Sequence, residues 1–327
     1  MDVDERSASS LTMGAQAPTT SEETPMFFAA GENTLFGILT RPTAPPLGVA
    51  MISAAGGMRG TSMGRNRLMV RLARQAASRG FHAFRFDYHG VGESGGPTQG
   101  FTMEAPYDDD LEGAALAMES LGIERHVYAG VCFGARTVMS LAQSRSGVAG
   151  VALVEPWVRD TGRQGRPLTR YSNKQLVRMA FKPWVLAGLF KREQRAYYAK
   201  FVRAKLHAMR SRDESREATD LSWVSDRFLS PLRQLVDREI PVLIVYGDGS
   251  ESYREFRRAH SETLGGLLRS AGDRVEVVTL PGWIHGFSDL LSQQRVIDAV
   301  EGWATRMFSD SRTEASAEVI EGGEERA

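Results

Sequence analysis

The chain has 327 residues, 42% hydrophobic and 24% charged, a composition typical of a folded globular protein rather than a disordered or fibrous one. Its 40 basic and 40 acidic residues cancel at pH 7, so net charge does not indicate binding to nucleic acid or to an anionic membrane surface. The single cysteine excludes an internal disulfide, and the longest apolar stretches are far shorter than the roughly 18 residues of a membrane span.

Both ends of the sequence lack the hydrophobic periodicity of folded segments. Residues 1–24 and 309–327 are rich in small, polar and acidic residues, which predicts two disordered tails. The segments 25–156 and 233–308 are expected to form one folded core. The N-terminus carries early acidic residues without the apolar segment of a secretory signal, so we expect a cytoplasmic protein.

Short apolar runs alternate with amphipathic stretches along the core. A hairpin is predicted first, from Met26–Ala30 and Leu35–Arg41. The further predicted strands are Gly48–Ser53, Phe81–Asp87, His126–Val131, Gly147–Val154, Pro241–Tyr246 and Arg274–Leu280. The predicted helices are Arg67–Ser78, Ala105–Leu121, Phe133–Gln143, Arg254–Ser270 and Gln293–Phe308. This alternation predicts an α/β fold, with a mostly parallel sheet and helices on both faces.

Residues 157–232 break the alternation and predict a helical insertion, called the cap below. Helices are expected at Asn173–Lys191 and Gln194–Met209. From Trp157 to Ser230 the sequence holds 17 basic and 7 acidic residues. Such an excess is typical of a solvated helical face, and equally of a cap that attracts an anionic ligand or an acidic partner.

The cysteine, Cys132, lies where a predicted strand meets a predicted helix. A lone cysteine is most often a small buried hydrophobe. Here, however, Gly130 and Gly134 surround it in the G-x-C-x-G pattern of a nucleophile elbow, with cysteine in place of serine. At a helix N-terminus, the dipole and the N–H groups favour the thiolate. Cys132 is therefore predicted to be a nucleophile, with the Phe133 N–H donating to an oxyanion.

A histidine follows the last predicted strand, in the glycine-flanked loop Pro281–Phe287. A histidine taken at random from the six in the chain is most often a surface residue. Its place directly after a strand favours catalysis instead, because loops at strand ends carry most catalytic groups of α/β folds. His285 is predicted to be the general base that deprotonates Cys132 and later activates water.

The loop after strand Pro241–Tyr246 is expected to hold the carboxylate that orients His285. Asp248 is the first choice and Glu251 the alternative. A cysteine enzyme depends less on this third group than a serine enzyme does, because a thiol is already fairly acidic.

Two glycine-rich loops follow earlier strands. Ala55 or Gly56, in the first loop, is expected to supply a second oxyanion N–H, although a plain turn is the alternative. The second loop, Asp87–Ser94, reads as a structural turn; it lacks the Lys-Ser/Thr of a phosphate-binding P-loop. The histidines are scattered without a metal-binding pattern, so neither a metal nor a cofactor is predicted.

Together these elements resemble the α/β-hydrolase superfamily, from about residue 26 to residue 308. Four segments look like the exosortase-associated hydrolases found beside polysaccharide-export genes: Gly130-Val131-Cys132, Glu155–Arg159, Glu255-Phe256 and His285–Ser288. That family pairs a G-V-C elbow with a P-W-V-R segment leading into a basic cap. The chain differs at Phe133-Gly134 and in the acid loop, where Ser250 occupies the position that the acid usually takes in this fold. Dienelactone hydrolases also have a cysteine elbow but lack a cap of this size.

The predicted activity is hydrolysis of an ester or thioester through an acyl-Cys132 intermediate, with His285 as acid and base. The basic cap favours a small acyl substrate that is anionic or carrier-bound, on coenzyme A or a carrier protein. Acyl transfer or cyclisation would use the same residues. A non-catalytic binding protein on a hydrolase scaffold is the remaining alternative, against which the Cys-His pair argues.

Overall fold

The computed structural model describes residues 21–56, 61–97, 105–160 and 224–324. The predicted tail up to residue 20 lies outside these ranges, as do the cap helices expected at Asn173–Lys191 and Gln194–Met209.

Eight strands form one sheet in the described part of the chain. They are β1 Glu23–Ala30, β2 Asn33–Thr40, β3 Val49–Ala54, β4 His82–Phe86, β5 Arg125–Val131, β6 Val148–Val154, β7 Val242–Gly247 and β8 Val275–Leu280. Their order is β1-β2-β4-β3-β5-β6-β7-β8. β2 runs antiparallel to β1 and β4, and the remaining pairs are parallel. Every residue of β3 and β7 is buried, as expected for parallel strands covered on both faces.

Seven helices accompany the sheet in the described residues. They are α1 Leu68–Ser78, α2 Asp108–Glu119, α3 Phe133–Ala142, α4 Asp226–Asp237, α5 Glu251–Ala259, α6 Gly265–Ala271 and α7 Leu290–Glu324. A π-helical turn, His260–Leu264, joins α5 to α6. Apolar side chains of α1 and α7 pack in one core cluster, and those of α2 to α5 pack in another. The sheet therefore separates two helical layers, as the alternation predicts. Within the described residues, no helix combines the length and apolarity needed to cross a bilayer.

The structure departs from the predicted limits of the two tails and of the cap. β1 begins at Glu23, inside the expected tail, because Glu23 and Thr24 pair with the end of β2. α7 continues through residues 309–324, predicted to be disordered; the commonest residue of that segment is the helix-forming glutamate, and it contains no proline to interrupt a helix. α4 begins at Asp226, inside the expected cap, because its apolar face (Phe228 and Leu232, both 0% exposed) belongs to the core.

Candidate active site

Cys132 sits on a sharp turn between β5 and α3. Its backbone has φ 52° and ψ −109°, and it is the residue that caps the helix. A Cβ on Gly130 would lie 2.5 Å from the Gly134 carbonyl oxygen, and one on Gly134 would lie 2.6 Å from the Ala55 carbonyl oxygen. Both positions therefore require glycine. The Cys132 side chain is partly exposed, unlike the buried small hydrophobe that a lone cysteine usually is.

The loop after β3 lies against this turn. A Cβ on Gly56 would lie 2.8 Å from the Val131 carbonyl oxygen and 3.3 Å from the Cys132 Cβ, so the Gly56 backbone directly faces the elbow. The Ala55 carbonyl accepts a hydrogen bond from the Tyr88 hydroxyl at 3.1 Å. Burial raises the pKa of Tyr88, which keeps this hydroxyl protonated as a donor. Both predicted loop residues are thus near Cys132.

Phe133, predicted to donate its N–H to an oxyanion, is the first residue of α3. The N–H groups of a first helical turn lie at the positive end of the helix dipole and point away from the helix body. The Phe133 ring is buried and packs edge-on against Tyr88 and Tyr107, at centroid distances of 5.9 and 5.2 Å. This packing fixes the start of α3, and with it the backbone beside Cys132.

His285 lies in the loop between β8 and α7, near enough to Cys132 that the sulfur raises the pKa of the imidazole. The loop is held at Phe287, whose carbonyl accepts from Asn66 Nδ2 at 3.0 Å and from Gln293 Nε2 at 2.9 Å. The His285 side chain is 27% exposed. The structure therefore brings together the two residues that the sequence patterns single out.

The carboxylate beside His285 belongs to Glu155, at the end of β6. Its Oε2 lies 3.7 Å from His285 Nδ1, and its side chain is fully buried. Oε1 accepts from the Gly247 N–H at 2.8 Å, and Oε2 accepts from the Ser252 hydroxyl. Because Nδ1 faces Glu155, Nε2 is the ring nitrogen left for Cys132.

Glu155 is not one of the two residues expected to supply the acid, Asp248 and Glu251. Asp248 Oδ1 accepts from the Gly282 N–H at 2.7 Å at an exposed position, where it ties the β7 loop to the β8 loop. Glu251 is the first residue of α5. The carboxylate that lies near His285 Nδ1 is that of Glu155. β6 lies between β5 and β7 in the sheet, so its end is closer to the elbow than the β7 loop is. One feature of the sequence could have indicated Glu155 as the acid: it is a carboxylate residue directly after an apolar strand.

The environment of His285 favours the imidazolium. Burial lowers its pKa, but hydrogen bonds to Cys132 and Glu155, and the negative charges of both groups, outweigh burial and raise the pKa from 6.5 to about 10. At neutral pH the proton is therefore held on the ring between the sulfur and the carboxylate.

Two tryptophans flank the imidazole. The Trp157 ring lies edge-on at 6.2 Å, and the partly exposed Trp283 ring stacks at 6.4 Å with an interplanar angle of 28°. The Trp157 carbonyl accepts from Arg136 Nε at 3.0 Å. Arg136, on α3, is 1% exposed and also pairs with Asp160 at 3.2 Å, so it fixes the base of the cap.

Left-handed backbone conformations recur at this site. Six non-glycine residues of the described chain have positive φ, and three of them are Cys132, Glu155 (φ 53°) and Phe287 (φ 45°). Such conformations cost of order 1–3 kcal/mol each and persist where the surrounding structure imposes them. The thiol, the carboxylate and the histidine loop thus each depend on a strained residue.

In the Asp87–Ser94 loop, the side chains of Asp87 and Ser94 are hydrogen-bonded within the protein. The Asp87 carboxylate accepts from the Ser62 N–H at 2.5 Å and the Glu93 N–H at 3.0 Å. The Ser94 hydroxyl donates to the Asp87 carbonyl and accepts from the Phe36 N–H. These contacts are those of a structural turn.

Comparisons with known proteins bear on this architecture. An alpha-beta serine hydrolase homologue from Coxiella burnetii covers 86% of this chain and 96% of its own, at 18% identity and a TM-score of 0.51. An esterase from Pyrococcus furiosus covers 89% and 91%, at 12% identity and a TM-score of 0.54. A loop variant of a haloalkane dehalogenase from Bradyrhizobium elkanii covers 90% and 100%, at 16% identity and a TM-score of 0.52.

At these identities the structural likeness shows the fold alone. No curated protein sequence matches the chain. A family model described as alpha/beta hydrolase fold matches residues 60–252, more than half of the sequence. The predicted fold is confirmed, and the chain belongs to the alpha/beta hydrolase fold family.

Proposed function

We propose that this protein is a hydrolase that cleaves an ester or thioester through an acyl-Cys132 intermediate. His285 serves as general acid and base, and Glu155 orients it. The observation that carries the proposal is that Cys132 lies at a helix N-terminus beside His285, whose Nδ1 lies 3.7 Å from Glu155 Oε2. This is the arrangement of a nucleophile, a base and an orienting acid.

In the first half-reaction the Cys132 thiolate attacks the carbonyl carbon of the substrate. The negative charge that forms on the carbonyl oxygen is stabilised by the Phe133 N–H and an N–H of the Ala55–Gly56 loop. When the tetrahedral intermediate collapses, the carbon–oxygen or carbon–sulfur bond of the leaving group breaks. The leaving group takes the proton from His285, and the acyl group stays on Cys132.

In the second half-reaction His285, now neutral, removes a proton from water. The resulting hydroxide attacks the acyl carbon, and the bond to Cys132 breaks. The sulfur leaves as thiolate, the carboxylic acid product departs, and the proton remains on His285. The starting ion pair is thereby regenerated without any further reactant.

A thioester substrate suits this chemistry, because the acyl-enzyme is itself a thioester of similar energy. The 17 basic and 7 acidic residues from Trp157 to Ser230 support an anionic or carrier-bound acyl group, on coenzyme A or a carrier protein. This part of the proposal rests on the sequence, because most of the cap lies outside the described residues.

The proposal is tested with a panel of acyl esters and thioesters assayed on the wild type and on Cys132→Ala. We expect turnover by the wild type and none by the variant; equal turnover by both would exclude the mechanism. Within the panel, an acyl-coenzyme A should give a higher kcat/KM than the matching neutral thioester, and added salt should reduce the difference.

Two further measurements separate the alternatives. Product analysis with an added alcohol or amine acceptor distinguishes hydrolysis from acyl transfer. If iodoacetamide labels Cys132 no faster than a free thiol at pH 7, the thiol is not activated and a binding protein becomes the better assignment.

A further inference from the structure

Two serine hydroxyls lie beside the Glu155 carboxylate, at the start of α5. Ser252 is 1% exposed, and its hydroxyl donates to Glu155 Oε2. Its oxygen lies 3.0 Å from Ser250 Oγ, and Ser250 is likewise 1% exposed. Buried hydroxyls must place their protons on acceptors within the protein, so the direction of these hydrogen bonds is constrained.

Counting protons shows where each hydrogen bond points. A serine hydroxyl has one proton, and an ionised carboxylate can only accept. Ser250 Oγ lies 2.8 Å from the Gly247 carbonyl, to which it donates, and accepts from the Tyr253 N–H at 3.3 Å. The Ser252 proton is then committed to Glu155, since the bond to a charged acceptor is the stronger one.

The two Glu155 oxygens accept hydrogen bonds from the two sides of the β7–α5 connection. Oε1 accepts from the Gly247 N–H, at the end of β7, and Oε2 accepts from the Ser252 hydroxyl, in the first turn of α5. The terminal torsion of a glutamate is soft, so one donor alone would let the carboxylate turn. With both in place, Oε2 is presented to His285 Nδ1 at 3.7 Å.

We infer that Ser252 is a positioning residue of the reaction: its hydroxyl orients the Glu155 carboxylate toward His285. The inference rests on the proposed function, because it assigns a role within the Cys132–His285–Glu155 site. The loop expected to supply the acid instead supplies the donors that hold an acid from the neighbouring strand. A residue that acts only through Glu155 loses its effect when the carboxylate is absent.

The test is a double-mutant cycle on the full chain: wild type, Ser252→Ala, Glu155→Gln, and the double variant. The probe is the butyryl thioester of N-acetylcysteamine, with kcat and KM measured separately. We expect Ser252→Ala to lower kcat about tenfold with KM nearly unchanged, as a misoriented catalytic group does. In the Glu155→Gln background the same change should leave kcat as it is.

Ser270→Ala is the matched control, because the Ser270 hydroxyl is exposed and donates to the Leu267 carbonyl within α6. Should Ser252→Ala not fold, Ser252→Cys occupies the same space with a weaker donor. The kcat of Ser252→Cys should then lie below that of the wild type. When Ser252→Cys is added to Glu155→Gln, kcat should equal that of Glu155→Gln alone.

A wild-type kcat for Ser252→Ala would overturn the inference, as would an equal loss in both backgrounds, which marks a general structural role. Turnover of the same thioester by Cys132→Ala would instead overturn the proposed function. The two failures are therefore distinguishable.

Discussion

Two neighbours, Cys132 and Glu155, raise the pKa of His285, and only Cys132 is chemically changed during turnover. The Glu155 carboxylate is unchanged by the reaction, whereas Cys132 loses its thiolate charge when it is acylated. That charge raises the pKa of His285 in the free protein. Acylation removes it while burial continues to lower that pKa. The histidine is therefore expected to give up its proton at the stage where a neutral base is required.

Alkylation of Cys132 with iodoacetamide should accordingly lower the pKa of His285 from about 10. The imidazolium would then lose its proton at a lower pH than in the unmodified protein. Titration of the histidine ring signals by NMR measures the change. His126 is an internal reference, since it is buried at the far end of β5. An unchanged His285 titration would show that Cys132 does not contribute.

The choice between the two acids is tested by removing one carboxylate at a time. Glu155→Gln should lower kcat at least about tenfold. This loss is smaller than the whole rate enhancement that a positioned acid–base group provides. Asp248→Asn, the matched change in the neighbouring loop, should leave kcat nearly unchanged. Steady-state kinetics on one thioester decides between them, and the reverse result would restore Asp248 as the acid.

At the scale of elements, the elbow depends on close contact between α3 and the β3 loop. Gly134→Ala should destabilise the fold by about 2–4 kcal/mol, since the methyl group would lie 2.6 Å from the Ala55 carbonyl oxygen. Urea denaturation measures the free energy of unfolding.

Gly266→Ala is the control for that change. Gly266 lies in α6, and a Cβ there meets nothing within 4 Å. Alanine should stabilise the protein by about 0.5–1 kcal/mol, because it restricts the unfolded chain and favours the helix. Equal effects of the two substitutions would contradict the packing argument.

Local patterns were sufficient for most elements and for two of the three residues in the proposed site. Strand periodicity and the elbow glycines depend on residues near one another in the chain, so Cys132 could be assigned from its own neighbourhood. His285 could be assigned from its place after a strand. The acid could not, because it depends on β6 lying next to β7 in the sheet. Periodicity identifies strands but does not measure distances across them.

The end of α7 shows a second limit of the same kind. The apolar pattern fades after Phe308, which predicts a tail, whereas the helix continues to Glu324. Burial and helicity are separate properties, and hydrophobic periodicity reports mainly the first.

At the scale of the whole molecule, Arg136 connects the core to both ends of the cap. It reaches the Trp157 carbonyl, Asp160 and the Ser225 hydroxyl, and it is 1% exposed. Arg136→Met should lower the free energy of unfolding by about 2–4 kcal/mol, because buried hydrogen-bonding groups lose their partner.

Arg227 offers a comparison, since it also approaches Asp160, at 3.9 Å, but is 57% exposed. Arg227→Met should change the free energy of unfolding by less than about 1 kcal/mol, as exposed ion pairs do. Thermal denaturation of both variants measures the two changes in the free energy of unfolding. Similar losses of stability in Arg136→Met and Arg227→Met would mean that burial does not distinguish the two arginines.

The hydrogen bonds to the Phe287 carbonyl have a consequence for the order in which the site assembles. Gln293, which donates to that carbonyl, lies in α7, and both Cys132 and Glu155 precede α7 in the chain. A chain emerging from the ribosome therefore carries its thiol long before the imidazole that activates it is fixed. During refolding, the rate of Cys132 alkylation should rise only as α7 docks, later than the burial of the central strands. The Cys132 thiol would thus stay unreactive until the rest of the fold has formed.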